Sequence, residues 1–181
     1  AIETEEHCAR MENYAIKIGR RMKLKDEDIE KLQLLAVLHD IGKIAIPEDI
    51  LLKKEKLSDE EWDMIKKHSE IGYRIAISSP ELVHIADGIL HHHERWDGKG
   101  YPHHLKGKQI PLISRIIAVV DAFDAMTHDR VYQKAISIAA AKKELLHCSG
   151  SQFDPFIVKL FVNHVLSKDD QAKKDDQLVR A

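Results

Sequence analysis

The chain is expected to fold as an all-α domain of about seven helices, and three observations predict this. Apolar residues recur at three- and four-residue spacing along most of its 181 residues. No segment shows the strict apolar–polar alternation of a half-buried strand, and no internal repeat is visible. The periodic stretches are separated by helix caps and by glycine or proline, which punctuate helices.

The elements follow in order. A first helix is predicted from about Ile2 to Met22, with Met11, Tyr14, Ala15, Ile18 and Met22 on one face. Lys23 to Lys25 is a break, and Asp26 reads as the N-cap of a second helix. That helix carries Ile29, Leu32, Leu35, Ala36 and Leu38 up to His39, with Gly42 as its terminator. Ser58 to Glu61 is a capping box ahead of Trp62, Ile65 and His68. Ser78-Ser79-Pro80 interrupts the pattern, and a further helix is predicted from about Glu81 to His92. Arg95 to Pro111 holds three of the eight glycines and two of the five prolines. It therefore reads as a long loop, and loops of that length in compact domains are commonly functional. Helices are predicted again over Ile113–Met126, Ile136–His147 and Phe153–Leu166. One domain over residues 1–166 is expected, followed by a charged, disordered tail over 167–181. Because the sequence opens inside or just before a helix, an N-terminal regulatory domain is expected to be absent from it.

Composition narrows the function classes. Apolar residues make up 44% and charged residues 32%, a globular balance. No stretch approaches the apolar length of a membrane span. The opening Ala-Ile-Glu-Thr-Glu-Glu does not read as a signal peptide. Cys8 and Cys148 are too few and too far apart for a disulfide framework, so a reducing cytoplasm is expected. A formal net charge of −2 gives no support to binding of a nucleic acid polymer or an anionic membrane.

Twelve histidines are a heavy load for this length, and several sit where metal ligands are useful. Glu3 and His7 are four apart and would leave one helix face together. His39 and Asp40 are consecutive and diverge by about 100° on a helix. Asp40 could then lie between two ions while His39 binds one. His68 stands on a third helix, and His92 and His93 close a fourth. Asp121 follows the apolar run Ile-Ile-Ala-Val-Val, where an unpaired carboxylate is costly. Asp121 and Asp124 could instead cap or pair with Arg115 and Arg130, and His84, His147 and His164 read as surface or core residues. Mixed imidazole and carboxylate donors without thiolate suit Fe, Mn, Zn or Ni.

With these residues in view, the chain resembles the HD-GYP branch of the HD-domain metal-dependent phosphohydrolases. The likeness rests on His39-Asp-Ile-Gly-Lys43 and on His-His-Glu-Arg-Trp-Asp-Gly-Lys-Gly-Tyr-Pro from His92 to Pro102. It extends through Ile110-Pro111, the segment Asp121–Thr127 with Arg130 and Tyr132, and Ser149–Pro155. The resemblance implies an HD-domain helical bundle with a long Gly-Tyr-Pro loop, acting as a cyclic di-GMP phosphodiesterase with pGpG, GMP or both as product. It implies metal ligands at His7, His39, Asp40, His68, His92, His93 and Asp121. Glu3 is the added ligand if three ions bind rather than two, and Fe or Mn is the usual metal. Asp40 and Lys43 are the implied catalytic residues, with a hydroxide bridging the ions as nucleophile. Lys43, Arg130, Asp97 and Tyr101 are the implied substrate contacts. Gln133 stands where the family commonly has a basic residue, and His91 adds a third histidine before the usual pair. The resemblance also implies GGDEF-type diguanylate cyclases as partners of the loop. The competing readings are an HD-type hydrolase of another cyclic dinucleotide or nucleotide, and a catalytically silent binding module.

Overall fold

The computed structural model describes residues 4–129 and 134–167. Glu3, Arg130, Tyr132, Gln133 and the tail from residue 168 onward therefore lie outside the described residues. Within them the architecture is all-α, as predicted, with no strand beyond one isolated bridge between Ser149 and Phe153.

Helix α1 (Glu5–Arg21) starts on Thr4, whose side chain accepts from the His7 amide, and ends on Met22. Lys23 is left-handed (φ 57°), the Lys23 amide donates to Arg20 O and the Leu24 amide to Gly19 O. This is a Schellman turn, closed here by lysine rather than glycine. Helix α2 (Asp26–Leu38) is capped by Lys25, so Asp26 is its first residue rather than its N-cap. Asp26, Glu27 and Asp28 then place negative charge against the positive end of the helix.

Helix α2 stops at Leu38, close to the predicted His39, but Gly42 is not its terminator: His39 leads into a 3-10 turn over Ile41–Ala45. Gly42 lies inside that turn and is not a left-handed cap. A Cβ there would stand 1.9 Å from the His68 carbonyl oxygen and 2.6 Å from the Gly72 amide nitrogen. Glycine is required by the close approach of two backbones, not by conformation.

A short helical turn, α3 (Glu48–Leu51), precedes the Ser58 capping box and α4 (Asp59–Lys66). The box forms as predicted, but the helix breaks at Lys67 and α5 (His68–Ile77) begins on the histidine itself. The predicted helix over 81–92 is likewise shorter: a 3-10 turn over Val83–Ile85 leads into α6 (Ala86–Leu90). After the loop come α7 (Leu112–Thr127), α8 (Ile138–His147) and α9 (Pro155–Leu160), the last continuing as a π-helical stretch over Phe161–Leu166.

Helices α1, α2 and α7 pack together, with α6 on α2, α5 on α6 and on the 3-10 turn over Ile41–Ala45, and the C-terminal segment against α1 and α7. Met11, Ile18, Leu32, Leu35, Ile117 and Phe161 are fully buried at the centre. Tyr14, Phe123 and Phe161 meet edge to face with centroids 5.2–5.6 Å apart, tying α1, α7 and the C-terminal segment into one core. Among the described residues no helix is long and apolar enough to cross a membrane.

Candidate metal centre

The core brings seven of the eight predicted ligand residues to one place; the eighth, Glu3, lies outside the described residues. They form two groups, and within each the donor atoms lie within 4.8 Å of one another. One is Asp40, His68, His92 and His93; the other is His7, His39 and Asp121. The consecutive pair His39-Asp40 is thus shared between the two groups.

Asp40 joins them. Its Oδ1 lies 3.0 Å from His68 Nε2 and 3.6 Å from His92 Nε2, while Oδ2 lies 3.5 Å from His39 Nε2. One oxygen faces each group, the disposition of a carboxylate that bridges two cations. Lys43 Nζ also contacts Oδ2, one helical turn along. Burial alone would raise the Asp40 carboxyl, but His68 and His92, then His39 and Lys43, hold it well below the usual carboxylate range.

The histidines are oriented by hydrogen bonds on their far nitrogens. Nδ1 of His39, His68 and His92 lies 3.1, 2.6 and 2.6 Å from the carbonyls of Ala36, Ile65 and Ile89. A carbonyl only accepts, so each Nδ1 carries a proton and each Nε2 faces the centre, donating to Asp40 when protonated and offering a lone pair when neutral. His68 Nε2 and His92 Nε2 then face each other at 3.3 Å, beside a carboxylate oxygen that is buried without a well-formed hydrogen bond. Three converging lone-pair donors in a desolvated pocket call for a cation between them. The donor set therefore fits a pair of divalent transition metals, with His68, His92, His93 and Asp40 for one, and His7, His39, Asp121 and Asp40 for the other.

His93 is positioned differently. The Tyr101 ring stacks on it with centroids 4.9 Å apart and planes 25° apart. Desolvation, with His92 and His68 beside it, keeps the His93 imidazole well below its ordinary pKa and so in the neutral form that binds metal. Burial, reinforced by Asp40 and Asp121, pushes the Tyr101 phenol up, so it stays protonated.

The loop after His93 is built rather than loose. Glu94, 4% exposed, accepts from the amides of His103 at 2.7 Å and Leu105 at 3.1 Å. The Trp96 and Asp97 amides donate to Gln152 O and Ser151 O at 3.1 and 2.8 Å. A Cβ on Gly100 would lie about 2.5 Å from the backbone of His93, Glu94 and Arg95, so the turn folds directly over the ligand segment. Asp97, expected at the substrate, has its carboxylate engaged by Arg95 at 3.2 and 2.9 Å and by the Lys99 amide at 3.0 Å. His91 turns away from the centre: its Nδ1 meets Asp87 O at 2.9 Å and its Nε2 meets His103 Nδ1 at 3.0 Å.

Of the alternatives open for the two carboxylates of α7, Asp121 joins His7 and His39. Arg115 pairs instead with Asp154 at 2.6 Å. Asp124 is buried, and its Oδ2 lies 2.6 Å from His7 Nδ1 while its Oδ1 accepts from Arg10 Nε at 2.5 Å. Neither Asp124 nor Glu94 was singled out for such a role from sequence. The i, i+3 spacing of Asp121 and Asp124 was the available signal for the first; a glutamate inside the His92–Pro102 motif was the signal for the second.

The centre opens on two sides. Beside Asp40 and Lys43 is a cleft of about 630 Å³, lined mainly by Val37, Leu38, Ile41, Ile44 and Leu51. A smaller pocket of about 220 Å³ lies between His92, His93, Arg95, Asp121 and Gln152.

A histidine–aspartate cluster fitted to hold metal, at the meeting of short helices, is what the fold and site define. The chain matches the HD domain family over residues 3–157, and it belongs to that family. The His92–Pro102 motif places it in the HD-GYP branch. It is 40% identical over 163 residues to a cyclic di-GMP phosphodiesterase of Thermotoga maritima, covering 89% of this chain and 44% of that protein. It is 39% identical over 159 residues to a cyclic di-GMP phosphodiesterase of Pseudomonas aeruginosa, covering 87% and 37%. A 3'3'-cGAMP-specific phosphodiesterase of Vibrio cholerae is 37% identical over 164 residues, covering 90% and 31%. The chain thus spans less than half the length of these curated relatives. Among solved structures, the HD domain of L. monocytogenes phosphodiesterase PgpH in complex with cyclic di-AMP has the same fold, with a TM-score of 0.66 at 16% identity, covering 95% of this chain and 92% of that one.

Proposed function

We propose that the chain is the catalytic part of a metal-dependent phosphodiesterase that hydrolyses cyclic di-GMP to linear pGpG, GMP or both. The observation that carries the reading is the Asp40 carboxylate, with one oxygen toward each ligand group. Two bound divalent ions would supply Lewis-acid activation of water and neutralise charge on the phosphodiester. The chain's own residues do the rest. Asp40 fixes the separation of the two ligand groups and stays ionised through its neighbours. Lys43, at the mouth of the cleft, presents its ammonium beside Asp40, where it offsets charge growing on a phosphate. Tyr101 holds the plane of His93, and Glu94 holds the loop that carries Tyr101. The cleft is within the usual range for small-molecule sites, roughly 300–1,000 Å³, and it adjoins the centre.

Within the same reading, Glu3 is assigned to a third ion and Arg130 to a substrate phosphate, on the motif resemblance. Asp97 and Tyr101 shape the substrate mouth. Fe or Mn is the proposed metal. The exposed loop residues Lys99, His103, His104 and Lys106 form the surface assigned to a GGDEF-type cyclase, and a cytoplasmic location goes with a cysteine content of only Cys8 and Cys148. The 3'3'-cGAMP-specific relative favours a second substrate, another cyclic dinucleotide. Anaerobically purified, metal-loaded protein should convert cyclic di-GMP to pGpG or GMP, read by chromatography, faster than it converts 3'3'-cGAMP or cyclic di-AMP. Preference for either of those would move the assignment to it. Metal-loaded protein that binds cyclic di-GMP without cleaving it would refute the reading.

A further inference from the structure

Three of the ligand histidines are oriented by a carbonyl three residues before them, and His93 by a stacked ring eight residues on. His7 differs. Its Nδ1 is held by a carboxylate 117 residues away, Asp124 Oδ2, at 2.6 Å. Asp124 is 2% exposed, and its position is set in turn by Arg10, through Nε at 2.5 Å and Nη2 at 3.2 Å, and by His128 Nδ1 at 3.1 Å from Oδ1. His7 and Arg10 share one face of α1, three residues apart, and both reach the same carboxylate of α7.

We propose that Asp124 is a positioning residue of the metal centre, acting through His7 on the ion held by His7, His39 and Asp121. The inference rests on the metal-centre reading above. A carboxylate accepts but does not donate, so it requires the proton on His7 Nδ1 and directs the Nε2 lone pair at the ligand group. It also adds negative charge behind the imidazole, which strengthens Nε2 as a donor. Without that carboxylate the ring could rotate or take the other tautomer. The same carboxylate clasps α1 to α7 through Arg10, a contact separate from the bond that holds His7. His68, His92 and His93, in the other ligand group, are oriented from within their own segments.

Metal content and affinity of the purified full chain separate the positioning role from the clasp. Wild-type protein titrated with Mn²⁺ should bind an ion at each of the two ligand groups, besides any third ion held with Glu3. Asp124→Ala should weaken one of them about 10- to 100-fold, the range found when such supporting partners are removed, and leave the other unchanged. Arg10→Ala breaks the same ion pair between α1 and α7 but leaves His7 its acceptor, and should keep both ions near wild-type affinity. Asp124→Asn, whose amide oxygen can still accept from His7, should recover much of the loss. Melting of the metal-free proteins reads the clasp: both variants should melt lower than wild type, Asp124→Ala the more because the His7 bond it removes also joins α1 to α7. Equal metal loss in Arg10→Ala and Asp124→Ala, or two tight ions in Asp124→Ala, would overturn the proposal while the metal centre stands. A wild-type chain that binds no ion would remove the metal centre and this inference with it.

Discussion

Gly42→Ala isolates a close approach on which the metal centre depends. Gly42 is not in left-handed backbone, so alanine would be free to adopt its conformation. With no other constraint the substitution should stabilise the fold by about 0.4–1 kcal/mol, because alanine restricts the unfolded chain. The structure reverses that sign. The new Cβ would meet His68 O at 1.9 Å, His68 C at 2.8 Å and Gly72 N at 2.6 Å, all backbone atoms. Restoring ordinary contact requires the His68 carbonyl to retreat by about 1.5 Å, given that non-bonded atoms settle near 3.5 Å. Overpacking of this kind costs about 1–3 kcal/mol, and in a domain of this size each kcal/mol lowers Tm by about 2–4 °C.

The displaced residue belongs to a candidate ligand group, so on the proposed function the effect is not confined to stability. His68 Nε2 is 3.0 Å from Asp40 Oδ1, and a misplacement of about 1 Å at a reacting centre can cost about 100-fold in rate. Gly42→Ala should therefore melt several degrees lower in metal-free form, measured by circular dichroism. It should also bind the His68-centred ion more weakly, measured by titration with Mn²⁺. A variant that melts higher than wild type and keeps both ions would refute the close-approach argument.

Other outcomes follow from the loop. His91→Ala should keep full metal content, since His91 faces His103, whereas His92→Ala should lose an ion; elemental analysis of the two proteins checks this. Glu94→Ala leaves two loop amides without their buried acceptor and should cost about 1–3 kcal/mol for each group left unsatisfied, with proteolysis within residues 99–108 as the readout. Arg95 holds the Asp97 carboxyl down to about 2. A depressed carboxylate contributes stability that is fully present above its unfolded value of about 3.9, and that stability is lost as pH falls through about 2. Arg95→Met should return the Asp97 midpoint toward the ordinary carboxylate value in a carbon-13 NMR titration.

Periodicity read the long helices well. α1, α2, α7 and α8 carry wide apolar faces that bury against one another, and their predicted spans agree with the structure to within about three residues at each end, the usual uncertainty of helix boundaries. The motif residues likewise named the members of both ligand groups within the described residues. What the sequence hid were the breaks at Lys67 and His91 and the role of Gly42. The Gly42 role arises from a backbone segment far along the chain, and the two breaks carry no glycine, proline or cap that periodicity could read. Asp124 was hidden for the same reason as Gly42: its partners, His7 and Arg10, lie on α1, and nothing in the segment around it reveals them.

Those unforeseen breaks explain how the centre is assembled. The last carbonyls of a helix have no intrahelical partner. Ala36 O lies in the last turn of α2, Ile65 O in that of α4 and Ile89 O in that of α6, and each is used by a ligand histidine three residues later. Had α4 continued through His68 as one helix, Ile65 O would be committed to the backbone amide four residues on, and His68 would lack a strong acceptor for Nδ1. The interruption therefore satisfies an orphan carbonyl and fixes a tautomer with one hydrogen bond. Short helices that stop at their histidines are thus the condition for presenting several neutral imidazoles to one point. A continuous helix could offer the same residues but not the same lone pairs.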